Sequence, residues 1–311
     1  MKFLDRCKGL PAWLKSWFLV LAVAGVLVGS HAPRITQAGQ LAATDKGPAG
    51  TYEVDIIQDV PYYEGPDADK HRHRLDLYLP RGGKDFPVLF FVHGGAWMHG
   101  DKSLFGRHKP IGVFWASHGV GVVMTNYRLS PAVRHPGHIQ DVARAFAWTY
   151  KNIPRYNGRP DQIFAFGHSA GGHLVALLAT NDTYLKAEGL SLQAIRGVIP
   201  MSGLYHIPAN NSLFDAIFGT DPKVRREASP LSHARPDAPP FLILYADHDL
   251  SLCNKKLAEA FCQALQDKKA VARTVEVKER NHVTIFFKAT REDDPAAQAM
   301  RDFIRTCTEK K

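Results

Sequence analysis

The chain has 311 residues, 45% of them hydrophobic and 22% charged, which is enough apolar material for one large core and too much for a disordered polypeptide. Its 25 glycines and 20 prolines follow no short period, and no block of about 20 to 50 residues recurs, which excludes collagen-like and solenoid architectures. The formal charge of +9 raises nucleic acid as a partner, but Lys2, Arg6, Lys8, Lys15 and Arg34 against Asp5 place four of the nine excess charges before residue 38. No arginine-rich helix or aromatic-interleaved basic strand follows, so no nucleic-acid partner is expected.

The first sixteen residues are basic, and Trp17 to Gly29 is an uninterrupted apolar run. As a helix that run rises about 20 Å, short of the roughly 30 Å hydrocarbon layer. Residues 1–38 therefore read as a signal peptide or N-terminal anchor, with cleavage possible after Ala38 or Ala43, and residues 39–50 as a linker. The expected location is exported, periplasmic or secreted, with membrane contact only through an uncleaved N-terminal segment.

From residue 51 onward short β-branched or aromatic runs alternate with longer helical stretches, the pattern of a mainly parallel sheet with helices on both faces. Eight strands are predicted, near Thr51–Ile57, His73–Leu79, Pro87–Val92, Gly121–Thr125, Gln162–Phe166, Ala194–Met201, Phe241–Ala246 and Thr274–Lys278. The third, fifth and seventh are continuous apolar runs, as strands buried on both faces should be. Helices are predicted over Gly106–His118, Gly137–Ile153, Ala170–Thr180, Asn254–Asp267 and Pro295–Thr306. Residues 203–238 break the rhythm with turn chemistry and one short apolar patch, so an insertion after the sixth strand is expected to overhang the carboxyl edge of the sheet as a lid or pocket wall.

Gly167-His168-Ser169-Ala170-Gly171 follows the fifth predicted strand directly and leads into a helix. A nucleophile on a sharp strand-to-helix turn sits in a strained backbone conformation, and a neighbour with a Cβ would collide with the flanking elements, which accounts for the two glycines. Ser169 is the candidate nucleophile, at a helix amino terminus that favours developing negative charge. His93-Gly94-Gly95-Ala96-Trp97 follows the third predicted strand on the same sheet edge, and its N–H groups, together with that of Ala170, can cradle an oxyanion. Downstream, His282 is the one histidine beyond His248 and the candidate base. The loop after the seventh strand offers Asp247 and Asp249 as the acid. Asp249 is preferred, because Asp247 abuts the strand end and would cap the following turn or helix.

With RLDLYLP at 74–80, FFVHGGAW at 90–97, NYRLSP at 126–131, HPGHIQDV at 135–142, FGHSAGGH at 166–173, ASPLSH at 228–233 and ERNH at 279–282, the chain resembles α/β-hydrolase esterases with an HGG oxyanion motif. These include feruloyl-esterase-like and hormone-sensitive-lipase-like carboxylesterases, and kynurenine formamidases are related. The resemblance spans about residues 54 to 305 and implies an α/β-hydrolase fold. It implies Ser169, Asp249 and His282 as a catalytic triad, and Gly94, Gly95 and Ala170 as oxyanion donors. The chain departs from the HGGG form of the motif at Ala96, which keeps its N–H but not a glycine's freedom.

Other conspicuous residues carry plainer readings. Asp141, Tyr127 and Arg128 are expected to anchor strand-end loops, and His93 to hold the oxyanion loop. Trp97 and His168 are candidate pocket residues, with packing as the alternative for both, as for His173. No CxxC or HExxH spacing occurs and His71-Arg72-His73 runs into a predicted strand, so no metal is expected. Cys253, Cys262 and Cys307 allow at most one disulfide after processing. The predicted protein is a cofactor-free serine carboxylic-ester hydrolase acting on small or aromatic acyl esters through an acyl-enzyme. The alternatives are an arylformamidase acting on N-formylkynurenine and a catalytically silent binding protein of the same fold.

Overall fold

The structure, a computed structural model, describes residues 41–45, 51–104 and 106–309. The expected signal segment and most of the expected linker lie outside the described residues. Nine strands form one sheet: β1 Leu41–Asp45, β2 Val54–Pro61, β3 Arg74–Pro80, β4 Phe86–Val92, β5 Gly121–Thr125, β6 Gly158–His168, β7 Gly197–Met201, β8 Phe241–His248 and β9 Ala272–Asn281. Their order is β1-β2-β3-β5-β4-β6-β7-β8-β9. The eight predicted strands are β2 to β9. The ninth, β1, lies inside the stretch read as a linker and pairs antiparallel with β2. Its five residues, LAATD, carry too few β-formers to read as a strand, and the pairing partner creates it.

The β1–β2, β2–β3 and β3–β5 pairs are antiparallel, and every other pair is parallel. The apolar run of β4 is explained by burial on both faces. Val88, Phe90 and Val92 join one core and Leu89 and Phe91 the other, as the two-residue period requires. Each fully buried side chain of this size contributes about 1.5–3 kcal/mol.

Among the described residues, five helices of nine residues or more cover the sheet: α1 Lys109–Ser117, α2 Gly137–Asn152, α3 Ala170–Thr180, α4 Lys255–Asp267 and α5 Pro295–Glu309. Residues of α2, α3 and α4 (Phe146, Leu174 and Phe261) belong to the first core, and Trp115 of α1 and Met300 of α5 to the second. All eleven residues of α3 are buried, and all but His173 and Thr180 are apolar or glycine, whereas α4 buries Ala258, Phe261, Cys262 and Leu265 at helical spacing.

The order of strands reverses direction at β4, whose neighbours are β5 and β6. This is where a doubly wound sheet opens a crevice at its carboxyl edge. The loops that follow β4, β6, β7, β8 and β9 meet there.

The insertion after β7 holds two short helices, Asp215–Phe218 and Pro222–Glu227, flanked by single turns. It is tied down by Arg225, a charged side chain only 1% exposed. Its guanidinium donates to the carbonyls of Gly219, Pro208, Ala209 and Asn211 at 2.8–3.0 Å and to the Asp215 carboxylate. Buried charge is tolerated only with such a complete set of partners.

Candidate active site

Ser169 stands between the end of β6 and the first residue of α3, with φ 57° and ψ −119°. A non-glycine residue there is strained, and the surroundings hold it: Ser169 N–H donates to the Met201 carbonyl at 2.9 Å, and the Ser169 carbonyl accepts from His173 N–H at 3.0 Å. The close approach of backbone explains the glycines. A Cβ on Gly167 would lie 2.3 Å from the Gly171 carbonyl oxygen, and one on Gly171 would lie 2.0 Å from that of Val92.

Three loops distant in sequence bring one chain of hydrogen bonds together. His282 Nε2 lies 2.9 Å from Ser169 Oγ, and His282 Nδ1 lies 2.6 Å from Asp249 Oδ1. The Asp249 carboxylate accepts three further bonds, from Ser202 Oγ at 2.6 Å, Ala246 N–H at 3.1 Å and Leu250 N–H at 2.8 Å. Burial pushes this carboxyl up, but the hydrogen bond and charge of His282, with the bonds from Ser202 and Ala246, outweigh it and hold it below its ordinary value. A carboxylate fixed in this way keeps the proton of His282 on Nδ1 and leaves Nε2 as the acceptor facing Ser169.

The turn that carries His282 is stapled at its base. Asn281 Oδ1 accepts from the N–H groups of Val283 and Thr284, and Thr284 Oγ1 accepts from Asn281 N–H.

Asp247 does bond backbone donors, but not those of its own turn or of the helix that follows. Its two oxygens accept from Glu279 N–H at 2.9 Å and Arg280 N–H at 3.0 Å, and these two bonds hold the carboxyl well below the usual range. Asp247 thus ties the acid loop to the base loop without touching His282 itself.

The candidate oxyanion loop lies against Ser169, since a Cβ added to Gly94 would stand 3.0 Å from Ser169 Cβ and 2.9 Å from the His168 carbonyl oxygen. Gly95, Ala96 and Trp97 all have positive φ, at 121°, 54° and 57°. Ala96 therefore adopts the backbone that a third glycine would adopt, at a cost of about 1–2 kcal/mol. His93 Nδ1 lies 2.7 Å from the Gly94 carbonyl and its ring stacks on Tyr127, whose hydroxyl donates to the His93 carbonyl at 3.1 Å. Arg128 grips the buried Asp141 through Nε, Nη2 and its backbone N–H, at 2.8–3.0 Å. These four residues are loop anchors, as read from the sequence.

Trp97 and His168, named as candidate pocket residues, take the packing alternative. Trp97 is 2% exposed and packs edge-on against His173 and against Phe218 of the insertion, with its indole N–H 3.3 Å from His173 Nδ1. His173 Nε2 in turn bonds the Ala228 carbonyl at 2.7 Å. His168 Nε2 bonds the His282 carbonyl at 2.7 Å, and its ring stacks on Phe286. A carbonyl only accepts, so both rings carry their proton on Nε2. Burial pushes both down to about 3, so both are neutral struts at physiological pH.

Ser202, which holds the acid, was missed in the sequence. Its one signal is a small hydroxyl residue followed by glycine at the carboxyl end of β7, on the same edge as the other loops. Cys253, Cys262 and Cys307 are all buried, and Cys253 and Cys262 are free thiols. Among the described residues, one group of side chains could hold a metal ion: Asp249, Cys253 and His282.

Residues 75–265 match the BD-FAE family model. The chain is 32% identical to the esterase LipQ of Mycobacterium tuberculosis over 283 residues, covering 83% of this chain and 64% of that protein. It is 28% identical to the isoprenylcysteine alpha-carbonyl methylesterase ICME of Arabidopsis thaliana over 243 residues, covering 71% of this chain and 56% of that one. Across four such curated relatives the chain spans between 45% and 64% of their length. A solved structure described as a truncated form of carbohydrate esterase from gut microbiota superimposes with a TM-score of 0.70 at 24% identity, over 85% of this chain and 100% of that one. At that identity the likeness concerns the fold.

Proposed function

Because the chain belongs to the BD-FAE family and has the α/β-hydrolase fold, we propose that it is a serine carboxylic-ester hydrolase, with Ser169, His282 and Asp249 as its triad. The observation that carries this reading is the unbroken path from Ser169 Oγ through His282 to Asp249, at 2.9 and 2.6 Å. His282 Nε2 takes the Ser169 proton as Oγ attacks the ester carbonyl carbon. Oxyanion charge is met by backbone N–H groups of Gly94, Gly95 and Ala170, each such donor being worth about 3–4 kcal/mol in comparable sites. His282 then protonates the departing alkoxide, and water hydrolyses the acyl-enzyme through the same base. The reaction as derived uses no cofactor.

The short insertion, tied down by Arg225 and Trp97, supports small or aromatic acyl groups over long chains. Names of esterases and a methylesterase among the relatives support ester rather than amide substrates. The test is turnover of a p-nitrophenyl ester panel from acetate upward, with N-formylkynurenine alongside. Ser169→Ala should abolish ester turnover, and unchanged turnover in that variant would sink the reading. Faster hydrolysis of N-formylkynurenine than of any ester would move it to the formamidases. A wild-type protein that is folded yet unreactive toward a fluorophosphonate would be a binding protein instead.

The protein is further proposed to be exported. No helix among the described residues is long and apolar enough to cross a membrane. Cleavage after Ala38 is favoured over Ala43, because the latter would cut through β1, which pairs with β2 along its length. N-terminal sequencing of the exported protein should begin at Gly39.

A further inference from the structure

Three ligating atoms, two of them from the proposed triad, lie close together. A carboxylate oxygen of Asp249, a ring nitrogen of His282 and Cys253 Sγ all lie within 4.8 Å of one another. The cysteine is a free thiol and 2% exposed, His282 is 3% exposed, and the Asp249 side chain is fully buried. Asp249 and Cys253 stand four residues apart in the loop between β8 and α4, and His282 is brought to them by the loop after β9. One sulfur, one imidazole and one carboxylate make a donor set for a borderline-soft cation, and a poor one for magnesium or calcium, which take oxygen ligands.

We propose that Asp249, Cys253 and His282 form an inhibitory site for a thiophilic divalent cation such as zinc or cadmium. The inhibition rests on the esterase reading above, whereas the binding does not. Tetrahedral coordination with bonds of about 2.0–2.3 Å sets the ligand atoms roughly 3.3–3.6 Å apart. The 2.6 Å contact between His282 and Asp249 must open by less than about 1 Å, and the thiol must close by about 1.5 Å at most. Cys253 lies on a short turn that also holds the exposed Ser251, and Asp249 and His282 sit on strand-end loops, so these shifts fall outside the sheet.

Coordination uses the lone pair of Nδ1. The proton that Nδ1 carries in the metal-free protein moves to Nε2, and the thiol proton passes to solvent, so one cation is bound and one proton released. Thiolate, carboxylate and neutral imidazole supply three ligands, and water completes the shell. An imidazole protonated on Nε2 cannot accept the proton of Ser169, so metal occupancy and turnover exclude one another.

The experiment titrates ZnCl2, and separately CdCl2, into the purified protein while following p-nitrophenyl acetate hydrolysis. Turnover should fall with added metal and return with EDTA. Cys253→Ser should keep its metal-free turnover and need at least about 100-fold more metal for half inhibition. Cys262→Ser/Cys307→Ser should be inhibited like the wild type. A second readout is independent of catalysis: Cd2+ added to Ser169→Ala should give a thiolate-to-metal ultraviolet charge-transfer band that is lost in Ser169→Ala/Cys253→Ser. Equal inhibition of Cys253→Ser and wild type, or a band that survives loss of Cys253, overturns the proposal. A Cys253-dependent band in a protein whose wild type hydrolyses no ester leaves the metal site standing and overturns the esterase reading. Normal hydrolysis with neither band nor inhibition does the reverse.

Discussion

Replacing Asp249 by Asn tests the electrostatic argument directly. Its Oδ1 receives His282 Nδ1 and Leu250 N–H, and its Oδ2 receives Ser202 Oγ and Ala246 N–H, so either placement of an amide NH2 meets a backbone N–H that cannot turn away. With NH2 at the Oδ1 position, His282 must accept at Nδ1, and Nε2 becomes protonated and useless as a base. With NH2 at the Oδ2 position, where Ser202 can rotate to accept, the tautomer survives but the negative charge is gone. The imidazolium formed in the transition state then loses an attraction of about 4 kcal/mol, taking charge centres about 4 Å apart and an effective dielectric near 20. At about 1.36 kcal/mol per factor of ten, that is a loss of roughly 10³ in kcat, rising toward 10⁴ when the wrong tautomer is populated. Steady-state hydrolysis of p-nitrophenyl acetate measures it, with circular dichroism to verify the fold. A folded Asp249→Asn variant within tenfold of wild type would refute the reasoning.

Asp247→Asn should lose much less activity than Asp249→Asn. It should nonetheless melt at a lower temperature, because an amide can serve only one of the two N–H groups of Glu279 and Arg280, and a differential scan of both variants shows the split. Arg225→Met strips the partners from at least four carbonyl groups and a carboxylate. Urea denaturation should register a loss of about 3–5 kcal/mol or an earlier, separate transition of the insertion. Burial pushes His93, His138, His168 and His173 down to about 3 and His108 to about 4. The unfolded chain takes up these protons first as pH falls below about 6.5, so their contribution is complete above that pH and is lost between about 6.5 and 3. Melting temperatures should therefore drop steeply from pH 7 to pH 5, and a flat profile over that range would contradict the neutral-strut assignment.

What the sequence made legible was whatever is local. The elbow around Ser169 needs two glycines within five residues, and a strand buried on both faces writes an unbroken apolar run. His282 was legible because it is the one histidine downstream of His248. The rest depends on partners far along the chain. Ser202 is 47 residues from the carboxylate it holds. Asp247 reads as a local cap because its true partners lie 32 and 33 residues on. Trp97 and His168 are polar-tipped rings beside the site, and only the placement of His173 and of the His282 carbonyl turns them from pocket walls into struts. PKVRRE falls within a stretch that reads as turn chemistry, yet its first arginine is buried because the insertion folds around it. Residues 41–45 lack strand composition and become a strand by pairing with β2.

The hydrogen bonds that shape the site also set the time at which it becomes active. Ser169 is held in its unfavourable conformation by a bond from its N–H to Met201, 32 residues later, and meets its base only when residue 282 has been delivered. A chain made, or threaded across a membrane, amino end first carries its serine for more than a hundred residues without a partner able to take its proton. Under the proposed mechanism Ser169 is unarmed in every nascent chain that lacks residue 282, and reactivity arrives only as the last strand joins the sheet.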